Sequence, residues 1–187
     1  MAPAIVLLAS FAILRLAGFL GVSTLDNWNL PLRIALFVMF LLAASAHWGR
    51  GRTDLIRMVP PALPAPAIIV SITGVLEILG AVGLLIPRTT RAAAVCLAIL
   101  LVAMFPANIR AAREHLTMLG RPATGLVLRS VMQVVFIGAL AAVAVSQPPM
   151  NKRVGEWKRL WTLSTALIWC GEGDLNPHEI TPASTSS

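Results

Sequence analysis

A twenty-residue apolar stretch, Ala67–Ile86, carries a single charged residue, Glu77, near its middle. At ~1.5 Å of rise per residue, a helix of this length spans roughly 30 Å, the thickness of a bilayer's hydrocarbon core. Inserting the acid costs about 2.5–3.5 kcal/mol, whereas each Leu, Ile or Val contributes about 0.3–0.6 kcal/mol in favour. Twelve such residues outweigh one Glu, so the stretch is predicted to cross a membrane.

The helical neighbours of Glu77 are all small, namely Thr73, Gly74, Gly80 and Ala81. Small residues on one stripe allow a neighbouring helix backbone to approach closely, so Glu77 is expected to face protein and not lipid. One interpretation is an acid that handles protons or contacts a ligand, the usual role of an ionisable group inside a membrane. The other is a hydrogen-bonded or arginine-paired acid that fixes the register of the helices.

The composition places the whole chain in the membrane class. Only 12% of the 187 residues are charged and 57% are hydrophobic, with a mean hydropathy of +0.81. Soluble domains carry about 25% charged residues, so we expect one integral membrane domain in contact with the lipid bilayer. The net charge of +7 does not indicate nucleic-acid binding, because most basic residues flank apolar runs, as they do in membrane proteins.

Five apolar runs predict an all-α, polytopic transmembrane helical bundle over residues 1–148. The spans cover residues 4–22, 32–48, 67–86, 92–108 and 126–146, with ends that are approximate. The tail 149–187 is predicted to be polar or amphipathic and partly disordered. The proline-rich segment Gly49–Pro66 is interpreted either as a stiff connector or as a lid over one end of the bundle.

Arg15 lies inside the first predicted span, close to mid-membrane depth. The nearer interface, at Val22, is about seven residues or roughly 10 Å away. We therefore expect an ion pair between Arg15 and Glu77 inside the bundle. The alternative is an arginine that extends along the helix to reach the interface.

The alternating directions of the spans place several polar side chains in one half of the bundle, on the side that holds Met1, here called side A. They come from four predicted helices and comprise His47, Ser71, Thr73, Asn108, Arg129 and Gln133, with Glu77 at mid-depth. Such convergence in an apolar bundle is typical of a small-molecule or proton site. The alternative is an unrelated set of polar residues at helix ends.

The sequence contains no motif for metal, phosphate or nucleophilic chemistry. His47, His115 and His178 lack the spacing of metal ligands, so no metal site is predicted. The cysteines, Cys96 and Cys170, are far apart and form no CxxC motif, so the chain offers no dithiol of its own.

Several segments resemble the DoxX family of bacterial membrane proteins. They are His47 at the end of a span, MVPPALPAP at Met58–Pro66, GVLEILGAVGLLIPRTTR at Gly74–Arg91 and VAMFPANIRAAR at Val102–Arg113. The resemblance implies a four-helix core in the bacterial plasma (inner) membrane, with the first span an addition to it. It also implies a link to redox systems that oxidise thiols or use quinone. It marks four candidate positions, which are His47, Glu77, Pro106 and Asn108.

Three functions are consistent with these features. The first is an accessory subunit of a membrane redox system, not an autonomous enzyme, with membrane or soluble redox proteins as partners and quinone as the ligand. The second is a small proton or solute carrier that uses Glu77. The third is a scaffold or assembly protein with no ligand. A quinone site predicts a cavity open to lipid, a carrier predicts a polar path across both halves, and a scaffold predicts tight packing throughout.

Overall fold

The computed structural model describes residues 2–114, 116–118, 121–122 and 125–147. Six α-helices lie in this part of the chain: α1 (Ala2–Phe19), α2 (Asn29–Ser45), α3 (Arg52–Met58), α4 (Pro66–Leu85), α5 (Thr90–Arg113) and α6 (Leu126–Ser146). A 3₁₀ turn, Ser23–Leu25, lies between α1 and α2. Two short antiparallel strands, β1 (Thr117–Met118) and β2 (Arg121–Pro122), lie between α5 and α6.

Four of these helices, α1, α4, α5 and α6, are 18–24 residues long and apolar enough to cross a membrane. The fifth apolar helix, α2, has 17 residues, the lower end of the length that spans a hydrocarbon core of about 30 Å. Helices satisfy their backbone hydrogen bonds internally, which allows apolar side chains to face lipid. The architecture confirms the predicted all-α membrane bundle.

The centre of the bundle is a ring of four helices. Helix α2 packs against α4, α4 against α5, α5 against α6, and α6 returns to contact α2. Neighbours in the ring are antiparallel, which is the up-and-down arrangement of four-helix bundles. Helix α1 packs chiefly against α2. The predicted core of four helices with an added N-terminal helix is therefore present.

The two halves of the ring differ in what they bury. Side A holds the start of α4 and α6 and the end of α2 and α5, and side B is the opposite end. Fully buried apolar side chains concentrate toward side B, in one cluster that includes Leu36, Phe40, Ala81, Leu84, Leu97, Leu140 and Val143. Toward side A, the buried positions of α4 and α6 include Gly74, Glu77 and Gln133. The candidate residues thus lie on the side A side of this apolar cluster.

Glycines of α4 bring α5 close in the half nearer side B. A Cβ atom placed on Gly80 would lie 2.5 Å from Leu97 Cδ2, and one placed on Gly83 would lie 2.8 Å from Ala93 Cβ. Both separations are shorter than real Cβ contacts, so these positions require glycine. The two contacts also define the antiparallel register of α4 and α5.

One boundary differs from the sequence-based expectations. Pro106 lies within α5, which continues to Arg113, so the predicted end of that span at residue 108 is too early. Proline removes one backbone donor and kinks a helix, yet it does not end this one. The chain divides after Gln147, and the predicted tail 149–187 lies outside the described residues.

The close approach of α4 and α5 predicts that Gly83→Ala destabilises the bundle. The new methyl group would overlap the Ala93 Cβ atom, and overpacking of this kind costs about 1–3 kcal/mol. Gly138→Ala on α6 is the matched control, because a Cβ there meets nothing within 4 Å. Unfolding midpoints in detergent should fall for the first variant and not for the second. Equal midpoints would contradict the proposed packing.

Candidate functional site

A histidine and a carboxylate face each other in the half of the ring nearer side A. His47 lies two residues after the end of α2, and Glu77 lies in α4. Their exposed fractions are 3% and 4%. The His47 Nδ1 and Glu77 Oε2 atoms are 3.8 Å apart, beyond ordinary hydrogen-bond distance. Each of these atoms is buried and has no hydrogen-bond partner within the part of the chain that the structure describes.

The turn that ends α2 carries His47 into the bundle. The His47 backbone N–H donates to the Ala44 carbonyl oxygen at 2.9 Å, so the chain keeps a helical turn beyond the end of α2. The ring then occupies space that Gly74 leaves open, since a Cβ on Gly74 would lie 2.8 Å from both Cβ and Cγ of His47. Trp48 also contacts this glycine, at 2.7 Å from the same Cβ position. Gly74 is therefore needed for the histidine to reach Glu77.

Arg52, at the start of α3, fixes the backbone of this turn. Its Nη1 donates to the His47 carbonyl oxygen at 2.8 Å. Its Nη2 donates to Ser71 Oγ at 2.9 Å and to the Ala67 carbonyl oxygen at 3.2 Å. One guanidinium thus joins the end of α2 to the first turns of α4, and it holds His47 opposite Glu77.

A second polar group lies between α5 and α6. Arg129 Nη1 donates to Asn108 Oδ1 at 3.0 Å. One turn deeper, Gln133 Nε2 donates to the Leu101 carbonyl oxygen at 3.0 Å. Gln133 is 9% exposed, and its Oε1 is buried without a hydrogen-bond partner among the described residues.

Pro106 lies within α5, close to this second group. Proline lacks a backbone donor, so carbonyl groups in the preceding turn need other partners in a membrane. Asn108, two residues after Pro106, accepts from Arg129 through its Oδ1 atom. Gln133 of the neighbouring helix donates to the Leu101 carbonyl oxygen, whereas the carbonyl group that loses its helical donor at Pro106 is that of Val102.

The structure does not bring Thr73 into either group. Its Oγ1 lies 3.0 Å from the carbonyl oxygens of both Ile69 and Val70, so the hydroxyl group donates within its own helix. Ser71 bonds to Arg52, and the remaining predicted residues form the two groups already described. His47 and Glu77 face each other between α2 and α4. Asn108, Arg129 and Gln133 connect α5 to α6.

The predicted ion pair between Arg15 and Glu77 is wrong. Arg15 Nη1 donates to the carbonyl oxygens of Leu25 and Asp26, at 3.1 and 2.6 Å, in the loop at side B. The guanidinium carbon also lies 4.9 Å from the centre of the Phe19 ring. The side chain extends toward the interface, which is the alternative that the sequence left open.

Two arginines that stabilise the bundle were not singled out from the sequence. Arg52 lies in a loop with several other arginines, and nothing in that pattern distinguishes it. Arg33 is buried, and its Nε and Nη2 donate to the Leu84 and Leu85 carbonyl oxygens, both at 2.7 Å. These carbonyls belong to the end of α4, where a helix leaves acceptors unpaired. A charged residue inside a predicted span was the available signal.

The chemistry of the site follows from these groups. Imidazole and carboxyl groups both bind and release protons, and each can donate or accept a hydrogen bond according to its protonation. Within the described residues, no cluster of three His, Cys, Asp or Glu side chains is arranged to hold a metal ion. The pair can therefore hold a polar group of a small molecule and exchange a proton with it.

Fold and site together define a polytopic helical membrane protein with a buried histidine–carboxylate pair in one half of its bundle. The chain belongs to the family described as a domain of unknown function (DUF8561), whose model matches residues 36–146. This range runs from the middle of α2 to the end of α6 and excludes α1. No curated protein and no solved structure matches the chain.

The contact at Gly74 predicts that Gly74→Ala displaces His47 from Glu77. In the unaltered protein the histidine is buried and should resist modification by diethyl pyrocarbonate. The added methyl group would occupy the space of the imidazole, so His47 should become reactive, as read by mass spectrometry of its peptide. Gly138→Ala should leave it protected. Protection of His47 in both variants would contradict the role given to Gly74.

Proposed function

We propose that this protein is a DoxX-like accessory subunit of a redox system in the bacterial plasma membrane. In this proposal the His47–Glu77 pair exchanges protons with the polar head of a quinone. The observation that carries the proposal is that two buried, ionisable side chains face each other at 3.8 Å, each with an unpaired atom. Groups of this kind are costly inside a membrane, and they usually mark a functional site.

The donor and acceptor chemistry of the two residues suits the head of a quinone. The orphaned atoms, His47 Nδ1 and Glu77 Oε2, belong to side chains that can donate to or accept from an oxygen of such a ring. When bound, a quinone takes up two electrons and two protons, and the electrons would come from the partner subunit. The contribution of this chain is to hold a proton at Glu77 or His47 and to keep both groups out of water.

A thiol-linked role has less support than a quinone-linked one. Cys96 is the one cysteine among the described residues, and it is free and exposed on α5. Cys170 lies outside the described residues. The quinone role depends instead on groups whose geometry is defined, His47 and Glu77.

A carrier role would need a polar route from Glu77 to side B. The positions that follow Glu77 toward side B are apolar and fully buried, and they include Phe40, Ala81, Leu84, Leu97 and Leu140. The buried arginine beyond them, Arg33, is bonded to backbone carbonyls at the end of α4. Packing of this kind favours proton exchange with side A alone, which suits a quinone site better than a carrier.

Glu77→Gln tests the proposal, because glutamine keeps the shape of the side chain and cannot exchange a proton at this position. In membranes of a strain that lacks the gene, this variant should support quinone reduction about 100-fold more slowly than the unaltered protein, since proton transfer contributes at least this much. Both proteins should be present in equal amounts. The measurement is the rate of quinol formation per unit of this protein in the membrane.

Glu114→Gln is the matched control. Glu114 is an acid at the end of α5 on side A, its side chain is 48% exposed, and it pairs with Arg110 at 2.9 Å. This variant should keep the full rate. An unchanged rate in Glu77→Gln would overturn the redox proposal and favour a scaffold role.

A further inference from the structure

Three buried side-chain atoms have no hydrogen-bond partner among the described residues, and they come from the middle of the ring and the part between the middle and side A. They are His47 Nδ1, Glu77 Oε2 and Gln133 Oε1. The first two belong to the pair already described. The third comes from α6, a helix on the far side of the ring from α4.

The packing register places Glu77 and Gln133 at the same depth. Close contacts pair Gly83 with Ala93 and Gly80 with Leu97. One further step toward side A, three residues along α4 and four along α5, brings Glu77 level with Leu101. Gln133 bonds to the Leu101 carbonyl, so one layer of the bundle holds Glu77 on α4 and Gln133 on α6.

Both residues also face the interior of the ring. The buried positions of α4 include Glu77, Ala81 and Leu84, which form one stripe at helical spacing. The buried positions of α6 are Gln133, Leu140 and Val143, which form another. The apolar members of the two stripes meet in one cluster, so Glu77 and Gln133 continue the same interior surfaces toward side A.

The orientation of the Gln133 amide is fixed by its partner. The Leu101 carbonyl oxygen only accepts hydrogen bonds, so the Nε2 group of Gln133 must face it. The Oε1 atom therefore points elsewhere, and this oxygen is an acceptor with no donor of its own. Leaving such a group unpaired in a buried place is costly.

We infer that Gln133 is a specificity-determining residue of the site, whose Oε1 accepts a hydrogen bond from a hydroxyl group of the ligand. This inference rests on the proposed function, because it concerns a ligand that also contacts His47 and Glu77. The site then holds the hydroxyl-bearing hydroquinone, which is the product of the proposed reaction, more tightly than an ether analogue whose oxygens only accept. Glu77 and His47 adapt to either kind of oxygen by changing protonation, whereas Gln133 does not.

A ligand series on the unaltered protein tests this inference without any risk to folding. The probes are a hydroquinone with a short alkyl chain, its two monomethyl ethers and its dimethyl ether, titrated calorimetrically into the full chain in lipid nanodiscs. The hydroquinone should bind about tenfold more tightly than the dimethyl ether, as expected for a buried acceptor that loses its donor. The monomethyl ether that keeps the hydroxyl group facing Gln133 should bind nearly as well as the hydroquinone.

Gln133→Leu should reduce the difference between hydroquinone and dimethyl ether to within about twofold, because the discriminating acceptor is removed. Gln147→Leu is the matched control: Gln147 Nε2 donates to Asn29 Oδ1 at the opposite end of the bundle, so the tenfold preference should persist. Equal binding of all probes to the unaltered protein, or an unchanged preference in Gln133→Leu, would overturn the role of Gln133 and leave the proposed function standing. Binding of none of the probes would overturn both.

Discussion

Hydrocarbon offers no water to a polar group, so every donor and acceptor inside this bundle must find a partner in the protein or in a ligand. Most of the described polar side chains in the bundle find such a partner within the protein. Arg33 and Arg52 donate to backbone carbonyls at helix ends, and Thr73 donates within its own helix. Against that background, the three unpaired atoms are exceptional. The proposed ligand site rests on these atoms.

The same constraint explains why the two halves of the ring are built differently. Toward side B, Gly80 and Gly83 let α4 and α5 approach closely over buried apolar side chains. Toward side A, Gly74 serves the opposite purpose, because it makes room for an imidazole ring. The apolar half supplies the packing free energy that offsets the cost of polar groups held without partners. The apolar cluster and the proposed site thus lie in different parts of one bundle.

Much of the fold could be predicted from the sequence because bilayer thickness fixes the length of each apolar run. The small neighbours of Glu77 also indicated correctly that this acid faces protein. Contacts between helices could not be predicted, because depth along the membrane does not determine which helices are neighbours. Arg15 illustrates this point: α1 packs chiefly against α2, so its arginine reaches a loop and not Glu77. The contact of Arg52 with His47 likewise could not be predicted, because it depends on the geometry of a turn, and hydrophobic periodicity gives no information about turns.

The separation within the His47–Glu77 pair is itself informative. At hydrogen-bond distance, the imidazole and the carboxyl group would satisfy each other, and neither would gain by binding anything else. At 3.8 Å they do not, and each retains the capacity for one more bond. The hydrogen bond from Arg52 to the His47 carbonyl oxygen fixes the backbone of this turn, and the space left by Gly74 admits the imidazole ring. Arg52 and Gly74 therefore set the position of His47 relative to Glu77, and in the proposed function the ligand completes the pair.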